Sequence, residues 1–126
     1  MNNFLLDTNA LLWYFWGSAR IGPVEDLIAS EENDIFVSPV SLWEIAIKIR
    51  IGKFPLVLDE LRSFAREYAF SELPVTGDSV KEYLKLPNLH KDPFDHMLLA
   101  QAISRSMRFI TGDSLLAAYS PLVMVI

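Results

Sequence analysis

The chain has 126 residues, about the length of one domain, and the balance of 52% hydrophobic and 21% charged residues excludes a disordered protein. The formal net charge of −5 argues against a protein that holds nucleic acid through a broad basic surface. The chain has no Cys and two His, which excludes disulfide scaffolds, zinc fingers, thiol nucleophiles and polyhistidine metal sites.

The N-terminal part alternates short apolar strands with helices. Residues 3–6 predict a buried strand, and the run Asp7-Thr8-Asn9 supplies N-cap residue types for a helix that ends at Trp16. Next come, in chain order, a helix at 23–32 with Pro23 in its first turn, a strand at 35–37, and a helix at 39–51 that Gly52 closes.

The C-terminal part continues the alternation. The pattern predicts, in order, a helix at 58–68, a short strand at 71–75 weakened by Pro74, helices at 79–86 and 93–104, a strand at 109–111, a short helix at 114–119 and a strand at 122–126. This alternation predicts a single α/β domain over residues 1–126, a three-layer α/β/α sandwich with a central, mostly parallel sheet. With no membrane-length apolar run and no basic segment before the apolar residues 4–16, we expect a cytoplasmic protein without a membrane partner.

Carboxylates fall at informative positions in this pattern. Asp7 directly follows the first strand and Asp113 follows the strand at 109–111, so both lie where open parallel sheets bind ligands. Glu44 and Asp95 interrupt apolar helical segments, and the four acids account for most of the net charge. Converging carboxylates repel one another unless a cation offsets them, and Mg²⁺ and Mn²⁺ prefer oxygen ligands. The pattern therefore favours a metal site that handles phosphates.

Each acid also has a simpler structural interpretation, and the spacing alone leaves both open. Asp7 can be an N-cap, and Glu44 can be the i,i+4 partner of Lys48. Asp95 can be a first-turn acid that the helix dipole favours, and Asp113 can cap the short helix at 114–119. Asp92 is interpreted as the N-cap of the helix at 93–104, without a catalytic role.

Four segments together resemble the motifs of PIN-domain proteins, in order and over nearly the whole chain. They are residues 5–13 (LLDTNALLW), 41–48 (SLWEIAIK), 90–102 (HKDPFDHMLLAQA) and 109–113 (FITGD). The short length of the chain and the sequence of the second segment are similar to those of the VapC-like toxins of toxin–antitoxin pairs.

The resemblance implies a metal-dependent endoribonuclease that hydrolyses RNA with Mg²⁺, for which Mn²⁺ can substitute. It implies that the catalytic, metal-binding acids are Asp7, Glu44, Asp95 and Asp113. In the family the first three are usually the core metal ligands, and the fourth supports the site, sometimes through water. It also implies a homodimer and a cognate antitoxin whose tail occupies a groove beside the active site. The polar side chains that it implies as supports of the pocket are Thr8, Asn9 and Thr111.

Two other functions remain open on the residues alone. Asp7 after the first strand and Ser38 after the second fit an aspartyl-nucleophile phosphatase loosely, although enzymes that resemble haloacid dehalogenases have an acid where this chain has Asn9. A non-catalytic module that binds RNA or protein could keep the same fold, although the four intact acids argue against it.

Three further groups have alternative interpretations. The apolar residues 11–16 predict a helix buried on all sides, or one with a face reserved for a partner. The cations Lys48, Arg50 and Lys53 complement a helix C-terminus or contact phosphates beside the cleft. His90 and His96 are predicted to be polar surface groups.

Overall fold

The structure is a computed structural model that describes residues 2–88 and 91–126. Its strands are Asn2–Leu6 (β1), Asn33–Val37 (β2), Ser71–Glu72 (β3), Arg108–Thr111 (β4) and Val123–Val125 (β5). Its α-helices are Thr8–Trp16 (α1), Glu25–Ala29 (α2), Pro39–Arg50 (α3), Leu58–Glu67 (α4), Gly77–Lys85 (α5) and Pro93–Ser104 (α6). The segments Ala19–Val24 and Ser114–Ala118 form 3₁₀-helices.

The strands form one parallel sheet in the order β3-β2-β1-β4-β5. Strand β1 lies at its centre, where Leu5 pairs with Phe36 of β2 on one side and Phe109 of β4 on the other. Because the strands are parallel, the segments that leave their carboxyl ends all emerge at one edge of the sheet.

Side chains that alternate along β1 enter two separate cores. One core contains Phe4 and Leu6, and the other contains Leu5. The first core is completed by Leu11 of α1, Ile45 of α3 and Leu61 of α4; the second by Leu98 and Leu99 of α6. Helices therefore cover both faces of the sheet, which confirms the predicted three-layer α/β/α architecture with a parallel sheet.

Two predicted elements differ from the structure because of proline. The helix predicted at 23–32 is instead the 3₁₀-helix Ala19–Val24, with Pro23 inside it, followed by the short α2. The strand predicted at 71–75 is only Ser71–Glu72; Leu73 still donates its N–H to Val37, and Pro74 has no N–H to extend the ladder.

The apolar segment 11–16 lies in α1 and is buried only in part. Leu11 and Leu12 are in the core, whereas Trp16 is 53% exposed. The prediction of a helix buried on all sides is thus confirmed for its first turns and wrong for Trp16. Across the described residues, the helices are all too short or too polar to cross a membrane.

A buried polar network joins α6 to the start of α3 and to the end of β3. The amide of Gln101 accepts a hydrogen bond from the Ser38 hydroxyl (2.5 Å) and donates to the carbonyls of Leu73 (2.9 Å) and Pro74 (3.2 Å). Ser38 is also the N-cap of α3, where its hydroxyl accepts the N–H of Val40. This one amide therefore holds together the helices that carry Asp95 and Glu44.

Replacing Gln101 by Leu should destabilise the fold. The change keeps the volume but leaves buried groups at Ser38, Leu73 and Pro74 without their partner, so we expect a loss of about 2–4 kcal/mol in the free energy of unfolding. Urea denaturation measures it, with the exposed Lys81→Leu as a control that should change stability by less than about 0.5 kcal/mol. Equal stability of the two variants would contradict the role of the network.

Candidate active site

The predicted acids lie at the carboxyl edge of the sheet and on two helices beside it. Asp7 follows β1 and Asp113 follows the neighbouring β4. Glu44 lies on α3 and Asp95 in the first turn of α6. The topology thus places Asp7 and Asp113 on adjacent strands, as the sequence pattern predicts.

Asp7 is the most deeply buried of the four, with 3% of its surface exposed. Its Oδ1 accepts the N–H of Ala10 at 2.7 Å, which caps α1, and its Oδ2 accepts the Thr111 hydroxyl at 2.6 Å. The N-cap interpretation of Asp7 is therefore confirmed, and the second oxygen ties the carboxyl to β4. A carboxylate can accept about four hydrogen bonds, so this capping still leaves capacity for a cation.

Burial controls the ionisation of Asp7. Loss of hydration raises its pKa from 3.8 to about 6, although hydrogen bonds from Thr111, Ala10 and the backbone of Gly112 oppose the rise. The charge of Glu44 contributes to this rise in pKa, so the two carboxyl groups are close enough to interact. The positive charge of a cation between them would oppose this rise in the pKa of Asp7.

Glu44 is oriented by hydroxyl groups from two helices. The Thr8 hydroxyl lies 2.6 Å from Oε1 of Glu44 and 3.0 Å from the Ser41 hydroxyl. Because an ionised carboxylate can only accept, Thr8 donates to Glu44 and Ser41 supplies the proton of the other contact. Lys48 lies 3.7 Å from Oε2 of Glu44, which confirms the predicted i,i+4 pair.

Thr111 links the ends of β1 and β4. Its hydroxyl donates to Asp7 and accepts the N–H of Asp113 at 3.0 Å. Asp113 Oδ1 in turn accepts the N–H of Leu115 and caps the 3₁₀-helix that follows, as the simpler interpretation predicts. Thr8 and Thr111 are thus buried supports of the acids, whereas Asn9 is exposed at the start of α1.

Asp95 is half-buried near the N-terminus of α6, whose N-cap is Asp92. Asp92 Oδ1 accepts the N–H of Phe94 at 2.9 Å and that of Asp95 at 3.4 Å, which confirms its capping role. Residues 2–88 and 91–126 contain no group of three or more acidic or His side chains that lie close enough together to hold a metal ion. Through its hydroxyl, Thr111 connects Asp7 to Asp113, and the charge of Glu44 acts on Asp7.

The side chains present fit a hard divalent cation. The donors are carboxylate oxygens, with hydroxyl groups behind them, and this is the donor type that Mg²⁺ and Mn²⁺ prefer. The raised pKa of the buried Asp7 beside Glu44 marks negative charge that the protein itself compensates only in part. This chemistry can hold a metal ion and, through it, a phosphate.

The prediction for His96 is wrong. His96 is buried, and its Nε2 lies 2.8 Å from the Tyr119 hydroxyl, because α6 is packed against the segment after β4 on this side. His90 lies outside the described residues. Of the cations at the end of α3, Lys48 pairs with Glu44 and also lies 5.2 Å from the Phe54 ring, while Arg50 and Lys53 are exposed.

Three residues that support the site received no role from the sequence. Ser41 lies three positions before Glu44 on the same helix face, a spacing that could have indicated it. Gly112 and Trp13 contact each other: a Cβ atom built on Gly112 would lie 2.3 Å from the Trp13 ring. That contact joins residues far apart in sequence, and no local pattern predicts it.

Comparisons with known proteins agree on one family. The family model of the PIN domain matches residues 4–120. Among solved structures, VapBC2 from Rickettsia felis, bound to a DNA fragment from its promoter, matches with a TM-score of 0.73 and 15% identity over 98% of this chain and 97% of that chain. A toxin–antitoxin complex from Klebsiella pneumoniae matches with a TM-score of 0.68 and 20% identity over 96% and 95%.

A third solved structure is VapC20 from Mycobacterium tuberculosis, described as a toxin that cleaves the sarcin–ricin loop. It matches with a TM-score of 0.63 and 16% identity over 93% of this chain and 96% of that chain. No curated protein matches by sequence. At these identities the solved structures establish the shared fold.

The raised pKa of Asp7 predicts how stability depends on pH in the absence of metal. Because the folded pKa of about 6 exceeds the unfolded value of 3.8, the protonated carboxyl favours the folded state; its contribution is greatest below pH 3.8 and is lost as the pH rises through 6. The shift corresponds to about 3 kcal/mol. The free energy of unfolding of Asp7→Asn should therefore rise by about 2.4 kcal/mol relative to the unmodified chain between pH 4 and pH 7.

Urea denaturation in EDTA across this range measures the difference. The exposed Asp59→Asn is the control, and its stability difference should stay nearly constant with pH. A pH-independent difference for Asp7→Asn would show that the carboxyl is not desolvated as described.

Proposed function

The chain belongs to the PIN domain family, and on that premise we propose that it is a metal-dependent endoribonuclease, the toxin of a toxin–antitoxin pair. The observation that carries the proposal is the buried Asp7, held by Thr111 beside the charge of Glu44 at the edge where parallel sheets bind ligands. A buried carboxyl with a raised pKa in such a position is typical of a functional site.

The residues that would hold the metal are Asp7, Glu44 and Asp95, with Asp113 as a supporting acid. Mg²⁺, or Mn²⁺ in its place, would supply polarisation of a phosphodiester and activation of water. The chain's own contribution is orientation. Thr111 holds Asp7 Oδ2, Thr8 holds Glu44 Oε1, and the N–H of Leu115 holds Asp113 Oδ1.

The proposed RNA substrate reaches this site only together with a cation. Without a cation, the acids would repel any phosphate, so metal binding and phosphate binding are coupled. The proposed substrate is found in the cytoplasm, and we place the protein there. The phosphatase alternative lacks its second acid, because Asn9 stands two positions after Asp7.

We also propose a cognate antitoxin as a partner. This part rests on the likeness to the VapBC2 structure and to the Klebsiella pneumoniae complex, both of which are described as assemblies of toxin with antitoxin. The antitoxin's tail would cover the acids and keep the chain inactive. Purified chain must therefore be freed of any bound partner before its activity is measured.

A homodimer is the proposed oligomeric state, and an apolar groove between α3, α5 and α6 is its proposed contact surface. The groove measures about 400 Å³, and its side chains include Trp43, which is 63% exposed and packs edge-to-face on Phe94. Exposed aromatic groups in contiguous apolar surface are typical of protein interfaces. The groove is lined by Val40, Trp43, Val75, Tyr83, Pro93, Phe94 and Met97.

Cleavage of total RNA by purified chain tests the enzymatic function. We expect discrete fragments with Mg²⁺ or Mn²⁺ and none with EDTA. Asp7→Asn should lower the rate by at least about 100-fold, and Thr111→Val, which removes the hydroxyl that contacts both Asp7 and the N–H of Asp113, by about 10- to 100-fold. The control Asp59→Asn should cleave like the unmodified chain. Full activity of folded Asp7→Asn would overturn the proposal, and failure to bind Mn²⁺ would favour a non-catalytic module.

Light scattering after size-exclusion chromatography tests the homodimer. We expect a mass of two chains, and Val75→Glu, which puts a charge into the apolar groove, should shift it to one chain. Val57→Glu is the matched control, because Val57 is similarly exposed but lies outside the groove, and it should remain a dimer. A monomeric unmodified chain, or an unchanged mass for Val75→Glu, would rule out this interface.

A further inference from the structure

The indole ring of Trp13 packs against Gly112, which lies between Thr111 and Asp113 of the acidic site. A Cβ atom on Gly112 would lie 2.3 Å from Cη2 and 2.9 Å from Cζ3 of this ring, so the ring occupies the space that any other residue at position 112 would need. Gly112 itself contributes a backbone hydrogen bond to Asp7 and stands between Thr111 and Asp113. The ring therefore touches the loop that carries two of the site's side chains.

A guanidinium group lies on the face of the same ring. The Arg20 Cζ atom is 4.0 Å from the Trp13 ring centroid, a cation–π contact. The backbone at Arg20 is also fixed, since its N–H donates to the Ser18 hydroxyl that caps the 3₁₀-helix Ala19–Val24. The same ring thus contacts both the Arg20 guanidinium and Gly112, which lies directly before Asp113.

Arg20 keeps its hydrogen-bonding edge available in this arrangement. The residue is exposed, and within residues 2–88 and 91–126 no carboxylate lies within 4 Å of its guanidinium. The cation–π contact uses none of the guanidinium's hydrogen-bond donors, so its N–H groups remain for a phosphate, which a guanidinium can bind through two hydrogen bonds. By contrast, Lys48, on the helix of Glu44, is already paired with that acid.

We propose that Arg20, held on Trp13, binds a backbone phosphate of the RNA strand beside the phosphate at the acids. The inference rests on the proposed nuclease function and gives Arg20 a positioning role: it fixes the strand and takes no part in the reaction. The acids repel the strand except where a metal ion compensates them, so a cation held on the ring that contacts Gly112 supplies the attraction that keeps a neighbouring phosphate in place.

Binding of a labelled, mixed-sequence single-stranded RNA to the cleavage-deficient Asp7→Asn variant tests the proposal, by fluorescence anisotropy over a range of NaCl concentrations. Adding Arg20→Ala should raise Kd by about three- to tenfold. It should also lower the slope of log Kd against log salt by about 0.7, the value for one phosphate contact on a single strand. Arg20→Lys should keep the slope and lose part of the affinity, because it keeps the charge without the planar stack.

Arg105→Ala is the matched control, since it removes the same charge from an exposed position at the opposite end of α6 from Asp95, and it should change neither Kd nor slope. With Asp7 intact, Arg20→Ala should raise KM for RNA cleavage while kcat is retained. An unchanged Kd and an unchanged salt slope would overturn the role of Arg20. This conclusion would hold even if Arg20→Ala were found to lose binding to a protein partner. If metal- and Asp7-dependent cleavage persists in that case, only this inference fails; if the unmodified chain neither binds nor cleaves RNA, the proposed function fails with it.

Discussion

The hydrogen bond from the Thr111 hydroxyl to Asp7 Oδ2 is the contact on which the rest of the site depends. It spans 104 positions in sequence and is buried. It joins the ends of two neighbouring strands and fixes the carboxyl that also caps α1. Because Thr111 accepts the N–H of Asp113 with the same oxygen, one side chain sets the positions of the first and the last acid. A strand register shifted by one residue would break this set of contacts.

Structural and functional interpretations of the acids are not exclusive. Asp7 caps a helix with one oxygen and engages the neighbouring strand with the other, and Glu44 contacts Lys48 through one oxygen and Thr8 through the other. The simpler interpretations of these residues are therefore correct and still insufficient. Capping does not require burial, and the raised pKa of Asp7 is the property that capping leaves unexplained.

The sequence predicts most of the fold because its elements are bounded by local signals. Pro39 and Pro93 open helices directly after N-cap residues, and Gly17 follows the end of α1 in a left-handed conformation. It also predicts that Asp7 and Asp113 meet, since parallel strands place their carboxyl ends together. It could not predict that His96 would be buried against Tyr119 or that Gln101 would join three segments, because those contacts depend on how layers pack.

The contact between Gly112 and Trp13 also limits how this chain can diverge. A side chain at position 112 needs the volume that the indole ring fills, so a larger residue there is compatible only with a smaller one at position 13. A smaller residue at 13 would remove the surface on which Arg20 rests. A change at any one of these three positions therefore alters the contacts of the other two.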